Sequence, residues 1–283
     1  MSQLKLPTPL LSIEWLSTHL DHPDVVILDA SLDKPKTAEA PSELSGLRIK
    51  NARFFDLKNT FVDKDSELPG MMPSAALFSE ECRKLGINKH SKIVVYDRLG
   101  IYSSPRAWYM FRTMGHEQVA VLDGGLPEWI EAGLPSESRE KEPETEAGNF
   151  TAEFKPEFIA DGQYVLDSLK NNRISVLDAR SSGRFTGTAP EPRENLRSGH
   201  IPGSFNLPFA RVLNEYKMRS REELKEIFKG LGTDNKEVIY SCGSGVTACI
   251  LLLAAELSGH HSNILYDGSW SEWGLKNDFP IES

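Results

Sequence analysis

One cysteine and a set of arginines are the residues in this chain best suited to chemistry. Cys242 stands in Tyr240-Ser-Cys242-Gly243-Ser244-Gly245-Val246-Thr247-Ala248, after a short β-branched run and before an apolar run with helical character. A strand that ends, turns within six residues and enters a helix can aim successive backbone N–H groups into one concavity, and Gly243 and Gly245 supply the freedom that such a turn requires. The start of the helix adds partial positive charge at the same place. The thiolate is the nucleophilic form of cysteine. A nest of this kind, from Gly243 to Thr247, suits a thiolate or the larger outer anion of a persulfide, because no bulky side chain obstructs it. The competing reading is a buried structural cysteine at a strand end.

The arginines lie upstream, in Asp178-Ala-Arg180-Ser-Ser-Gly-Arg184-Phe-Thr-Gly-Thr-Ala-Pro-Glu-Pro-Arg193, which runs on to Gly199-His200-Ile-Pro-Gly203. Glycines and prolines shape this stretch as a loop after a strand. In open α/β sheets that edge is where ligands bind. Arg184 and Arg193 there would suit a small carboxylate or keto acid, held by charge-assisted, bidentate hydrogen bonds. Surface ion pairs with Glu191 and Glu194 are the alternative, and spacing alone does not decide between the two. His200 reads as a residue that fixes the loop by hydrogen bonding.

The elements that must position these residues are written twice. Val25–Ala30 (VVILDA) matches Ile174–Ala179 (ISVLDA), and Lys92–Asp97 (KIVVYD) matches Glu237–Cys242 (EVIYSC), aligned through Tyr96 and Tyr240. Asp123-Gly-Gly-Leu-Pro-Glu-Trp129 matches Asp267-Gly-Ser-Trp-Ser-Glu-Trp273. Three matches in one order, at nearly constant separation, mark a tandem duplication. Each copy alternates short β-branched runs with helical patterns, the signature of an α/β fold with a parallel sheet flanked by helices. Helices are expected from about Ser74 to Gly86, over Pro105–Met114 and over Val246–Leu257. Another opens at the capping box Ser220-x-x-Glu223 and stops near Gly232. The expected organisation is a first domain at 1–134, an exposed linker at 135–158 rich in Glu, Ser, Pro and Lys, and a second domain at 159–283. Trp108, Trp129, Trp270 and Trp273 are expected to pack between the copies.

Composition narrows the function classes. The chain has 283 residues, 39% hydrophobic and 26% charged, with a net charge of −9. That is room for two ordinary domains, and the sign of the charge speaks against nucleic acid as a partner. No apolar run is long enough to span a membrane, and the first residues lack a secretion-signal pattern. Three cysteines, Cys82, Cys242 and Cys249, cannot all pair, so free thiols in a reducing compartment are expected, cytoplasmic or else mitochondrial. Cys82 and Cys249 read as packing residues. His260-His261 has no third ligand nearby, so no metal site is expected. A phosphatase of related loop design would need an arginine at the sixth position after the cysteine, where Ala248 stands.

Taken together, CGSGVT at Cys242–Thr247, the arginine loop SGRFTGTAPEPR, GHIPG and DGSWSEW resemble the tandem rhodanese family of sulfurtransferases, and within it the mercaptopyruvate-using members. The similarity runs from about Leu11 to Pro280. The resemblance implies two rhodanese-like domains, the first inactive and the second catalytic through Cys242, with Ser244 assisting at the substrate thiol. It implies donor binding by Arg184, Arg193 and the loop Gly243, Gly245, Val246 and Thr247, and it implies no cofactor. The partners implied are 3-mercaptopyruvate as sulfur donor and, as acceptor, a thiol such as thioredoxin or glutathione, or cyanide. Thiosulfate-using relatives place Arg-Lys after the cysteine; the uncharged Gly243-Ser244 here favours mercaptopyruvate, with a thiosulfate:cyanide enzyme or a non-catalytic binding module as alternatives. The first copy is expected to carry Arg98 where Cys242 falls and Arg48-Ile-Lys-Asn51 where His200-Ile-Pro-Gly203 falls. Some members support the serine with an acid and a histidine from the first domain. Lys58 and Gly70 stand at those positions here, so that relay is expected to be absent.

Overall fold

A computed structural model describes residues 4–32, 44–140, 143–231, 233, 236–261 and 263–283. The expected stop at Gly232 lies outside the described residues. The chain forms two compact units. Unit 1 comprises Met1–Lys64, Met72–Lys155 and Glu215–Met218; unit 2 comprises Asp65–Met71, Pro156–Asn214 and Arg219–Ser283.

In unit 1, strands β1 (Leu10–Leu11), β2 (Val25–Asp29), β4 (Arg53–Phe54), β5 (Lys92–Tyr96) and β6 (Val119–Leu122) form a parallel sheet in the order β1-β6-β5-β2-β4. Strand β3 (Leu47–Ile49) pairs antiparallel with β7 (Ser136–Ser138). The helices are α1 (Ile13–His19), α2 (Ala75–Lys84), α3 (Ser104–Thr113) and α4 (Gly125–Glu131). Ser74 caps α2 by accepting from Leu77 N–H, and Pro105 sits in the first turn of α3, where its missing N–H costs nothing.

Unit 2 repeats the plan. Its strands are β8 (Ile159–Ala160), β9 (Ile174–Asp178), β10 (Phe205–Asn206), β13 (Glu237–Ser241) and β14 (Asn263–Tyr266), in the parallel order β8-β14-β13-β9-β10. The short strand β11 (Leu213–Asn214) lies outside the main sheet, as does β12 (Lys217–Met218), which belongs to unit 1. Helices α5 (Gly162–Ser168), α6 (Ser182–Phe185), α7 (Arg221–Lys229), α8 (Ala248–Ser258) and α9 (Ser269–Trp273) complete it. The capping box Ser220–Glu223 opens α7 as expected. Helix α8 is apolar on every side and buried from Ala248 to Ala255, as a helix enclosed between a sheet and a neighbouring helix must be. Each fully buried Leu or Ile there contributes about 1.5–3 kcal/mol. The helix starts at Ala248, two residues later than its pattern suggests, because Val246 and Thr247 belong to the turn.

Two expectations change. The segment read as a linker is largely exposed among its described residues, as expected, but part of it is bonded to unit 1: Gly148 N–H donates to Arg83 O (2.8 Å), Phe150 N–H to Ile87 O (3.1 Å) and Lys155 N–H to Thr113 O (2.8 Å). Phe150 is 2% exposed and meets the rings of Phe78 and Phe111 edge-on, so one aromatic outweighs the polar composition around it. Three of the four tryptophans expected between the copies also lie elsewhere. Trp129 belongs to the core of unit 1, and Trp270 and Trp273 to the core of unit 2. Their indole N–H groups donate to Pro135 O, Arg197 O and Pro280 O, which makes burial of the polar atom tolerable. No helix among the described residues is long and apolar enough to cross a membrane.

Candidate active site

The central strand β13 delivers Cys242 to the edge of the unit 2 sheet, beside the end of β9, where Ser241 is in register with Asp178. Cys242 is 2% exposed. The first turn of α9 holds the backbone at this point. Cys242 N–H donates to Ser269 Oγ (3.1 Å), Cys242 O accepts from Trp270 N–H (3.0 Å) and Gly243 O accepts from Ser271 N–H (3.0 Å). Ser269 takes φ 49°, a left-handed conformation costly for a residue with a β-carbon, and its hydroxyl bonds to both Cys242 N–H and Tyr266 O. Beyond Gly243 the chain turns through Gly245 at φ 73° and enters α8, with the Cys249 thiol donating to Gly245 O (3.2 Å). Cys249 therefore packs, as expected, and also ties the turn to the helix. Among the described residues, none of the N–H groups of Gly243, Ser244, Gly245, Val246 and Thr247 donates to another protein group.

The first copy shows what fills such a loop. Sheet register pairs Asp29 with Tyr96 in unit 1 and Asp178 with Ser241 in unit 2. The residue equivalent to Cys242 is therefore Asp97, and the alignment that put Arg98 there was one position out because it matched Tyr96 to Tyr240. The Asp97 carboxylate accepts from the N–H groups of Leu99 (2.9 Å), Tyr102 (2.9 Å), Ser103 (3.0 Å) and Ser104 (2.8 Å) and from the Ser104 hydroxyl (2.7 Å). A loop of this kind holds an anion, and unit 1 supplies its own. Asp97→Ala should take the carboxylate from four N–H groups, two of them on the buried Ser103 and Ser104, and destabilise unit 1 by about 3–5 kcal/mol, read as a lowered urea midpoint. The second alignment stands: Arg48–Asn51 falls opposite His200–Gly203, and Asn51 (φ 65°) matches Gly203 (φ 69°).

Both arginines reach the Cys242 loop. A β-carbon added to Gly243 would lie 3.1 Å from Arg184 Nη2, so the glycine is what lets the guanidinium approach. Arg184 also pairs with Glu191, through Nη2 to Oε2 (2.6 Å) and Nε to Oε1 (3.2 Å). The ion pair and the approach to the loop thus coexist. Arg193 is exposed overall, yet its Nη1 donates to Ser271 Oγ (2.7 Å) and, at 3.4 Å, to Gly243 O. Partial burial lowers its pKa from the ordinary value, opposed chiefly by the attraction of the Cys242 sulfur in its charged form. No salt bridge joins Arg193 to Glu194 among the described residues.

The spacing of charges alone did not reveal Glu191 and Arg180 as a buried pair behind Arg184. The Arg180 side chain is fully buried over the Trp270 ring (4.1 Å to its centre) and bonded to Asp178, Gly199 O and Glu191. The chain Asp178–Arg180–Glu191–Arg184 fixes the second arginine from the strand end outward. The Pro-Glu-Pro setting of Glu191 was the only local hint. His200 fixes the same loop, stacking on Phe185 (3.9 Å between ring centres) and bonding through Nδ1 to Phe185 O (2.9 Å).

Ser244 and Thr247 are half-buried, and neither hydroxyl bonds to another described residue. Gly70 passes beside Ser244, where an added β-carbon would lie 3.7 Å from Ser244 O. Neither Gly70 nor Lys58 offers a carboxyl or imidazole group.

Comparison with known proteins places this geometry in context. The rhodanese-like domain model matches residues 12–132 and again 161–276. A 3-mercaptopyruvate sulfurtransferase of Escherichia coli is 40% identical over 273 residues, covering 95% of this chain and 96% of that protein. The mitochondrial thiosulfate/3-mercaptopyruvate sulfurtransferase 1 of Arabidopsis thaliana is 40% identical over 309 aligned positions, covering 100% of this chain and 80% of that protein. The crystal structure of SseA from Escherichia coli, a 3-mercaptopyruvate sulfotransferase with the rhodanese fold, superposes with a TM-score of 0.82 at 36% identity, covering 93% of this chain and 99% of that one.

Proposed function

The chain belongs to the rhodanese family, and from that premise we propose that it is a 3-mercaptopyruvate sulfurtransferase that carries sulfur as a persulfide on Cys242. Its substrates are a small-molecule sulfur donor and a sulfur acceptor, as the names of its relatives suggest. The observation that carries the reading is the contrast between the two copies. The corresponding loop is filled by the Asp97 carboxylate in unit 1, whereas in unit 2 none of the loop N–H groups donates to another described residue beside the cysteine.

In the first step the Cys242 thiolate attacks the sulfur of 3-mercaptopyruvate. An S–S bond forms, the C–S bond breaks, and its electron pair leaves on the carbon as the enolate of pyruvate. The proton of the substrate thiol balances the one that the enolate takes up at carbon. Arg184 and Arg193 hold the donor's carboxylate and keto oxygen, and Arg193 is the one with charge to spare, because Glu191 already neutralises Arg184. The N–H groups of Gly243 to Val246 and Thr247 cradle the outer sulfur of the persulfide, and the Ser244 hydroxyl meets the substrate thiol. In the second step a thiol such as that of thioredoxin or glutathione, or cyanide, attacks the outer sulfur and restores Cys242. Two half-reactions through a covalent intermediate give ping-pong kinetics. All three cysteines are free, which fits a reducing compartment, cytoplasmic or mitochondrial.

The test is an intact mass after incubation with 3-mercaptopyruvate alone, with pyruvate measured in parallel. A gain of about 32 Da, one sulfur atom, removed by added cyanide or thiol, is the expected result. Thiosulfate run alongside addresses the second donor named for the Arabidopsis relative. Loading from thiosulfate and not from mercaptopyruvate would reverse the donor assignment, and loading from neither would leave a binding module.

A further inference from the structure

The matched motifs of the two copies differ at one position that bears on donor binding: Pro127 stands in the first where Ser271 stands in the second. Ser271 is 2% exposed, in the first turn of α9. Its hydroxyl accepts from Arg193 Nη1 (2.7 Å) and donates to Gly243 O (2.5 Å), while its own N–H donates to the same carbonyl (3.0 Å). One buried hydroxyl thus joins the tip of an arginine to the residue that follows Cys242. Proline at the same position has neither a hydroxyl nor an N–H to offer.

Arg193 needs such a tether more than Arg184 does. Arg184 is fixed by two bonds to a buried carboxylate. Arg193 stands on an exposed stretch and makes no salt bridge among the described residues. An untethered arginine side chain samples many rotamers, and binding must remove that entropy. Fixing it beforehand lowers that cost and so strengthens binding.

We propose that Ser271 is a positioning residue that holds Arg193 against the catalytic loop and so sets the preference for a carboxylate-bearing sulfur donor. This rests on the reading of Arg193 as a donor-binding residue. The hydroxyl is dispensable for the loop itself, since Ser271 N–H still holds Gly243 O without it.

The experiment is steady-state kinetics on S271A, S271T, R193A and the S271A/R193A double variant with 3-mercaptopyruvate and with thiosulfate, plus the rate of Cys242 alkylation by iodoacetamide. S271A should raise the KM for mercaptopyruvate about 5–10-fold while kcat stays within about 2-fold. Alkylation and the KM for thiosulfate should hold near wild type, S271T should retain the wild-type KM, and S271A should add less than about 2-fold to R193A. A wild-type KM in S271A overturns the inference, as do equal losses on both donors or a full additional loss in the R193A background. Slowed alkylation in S271A would also overturn it, by making the hydroxyl a support of the loop. Wild-type protein inactive on both donors would overturn the functional reading and this inference with it, whereas an active wild type with an unaffected S271A sinks this inference alone.

Discussion

Cys242→Ser should abolish the persulfide: no gain of about 32 Da with either donor, and a fall in turnover of at least about 10⁴-fold, the scale of losing a covalent nucleophile. The substitution is small. Cys242 is buried, and its backbone N–H and C=O are held by Ser269 and Trp270, contacts that do not involve sulfur. The fold should therefore survive, with circular dichroism and the unfolding midpoint near wild type, and the loss can be assigned to chemistry. Serine would also place a hydroxyl among the loop N–H groups, but a hydroxyl is a poor nucleophile without a base, and neither Gly70 nor Lys58 supplies a carboxyl or imidazole group. A variant that still gains sulfur would end the scheme.

The second large effect concerns the arginines. R193A should lower kcat/KM for 3-mercaptopyruvate about 30- to 300-fold, the range for removing a charged hydrogen-bond donor to a carboxylate in a partly buried site. R184A should harm the enzyme by a different route. Its removal strips Glu191 of one of two cationic partners, leaving a buried carboxylate held by Arg180 alone. That variant should lose stability as well as donor affinity, by about 1–3 kcal/mol in urea unfolding. Both variants should retain more activity on thiosulfate than on mercaptopyruvate. Equal losses on both donors would remove carboxylate recognition from the account.

The loop wording around Cys242 was legible because its chemistry is local. A strand end, two glycines and a helix start lie within nine residues, so the turn shows in the residue types, although the backbone is then held by Ser269, Trp270 and Ser271 of α9. The duplication was legible for a related reason: VVILDA and ISVLDA, or DGGLPEW and DGSWSEW, report the same strand and the same turn twice. The register was less secure. Tyr96 and Tyr240 look alike, but they are displaced by one position in the sheet, and only the ladder of β2 with β5 and β9 with β13 reveals it. That single step turns the first copy's counterpart of Cys242 from Arg98 into Asp97, and with it explains why the unit 1 loop is already full.

Sequence alone determined that the chain is α/β, that it is duplicated, and that its second copy carries a cysteine in a turn fit for an anion, with Arg184 and Arg193 upstream. Periodicity and short-range turn chemistry encode all of these within a few residues. Tertiary structure alone decided what those groups touch. Glu191 became a buried support of Arg184 because Arg180 reaches it from the end of β9. Ser271 became the link between Arg193 and Gly243 because α9 folds back on β13. The polar segment after Pro135 became part of unit 1 because Phe150 finds the rings of Phe78 and Phe111. In each case the deciding contact joins residues far apart in the chain. Their hydrogen bonds and apolar burial exist only after the sheet has set the distances, so no pattern of neighbours along the sequence could announce them.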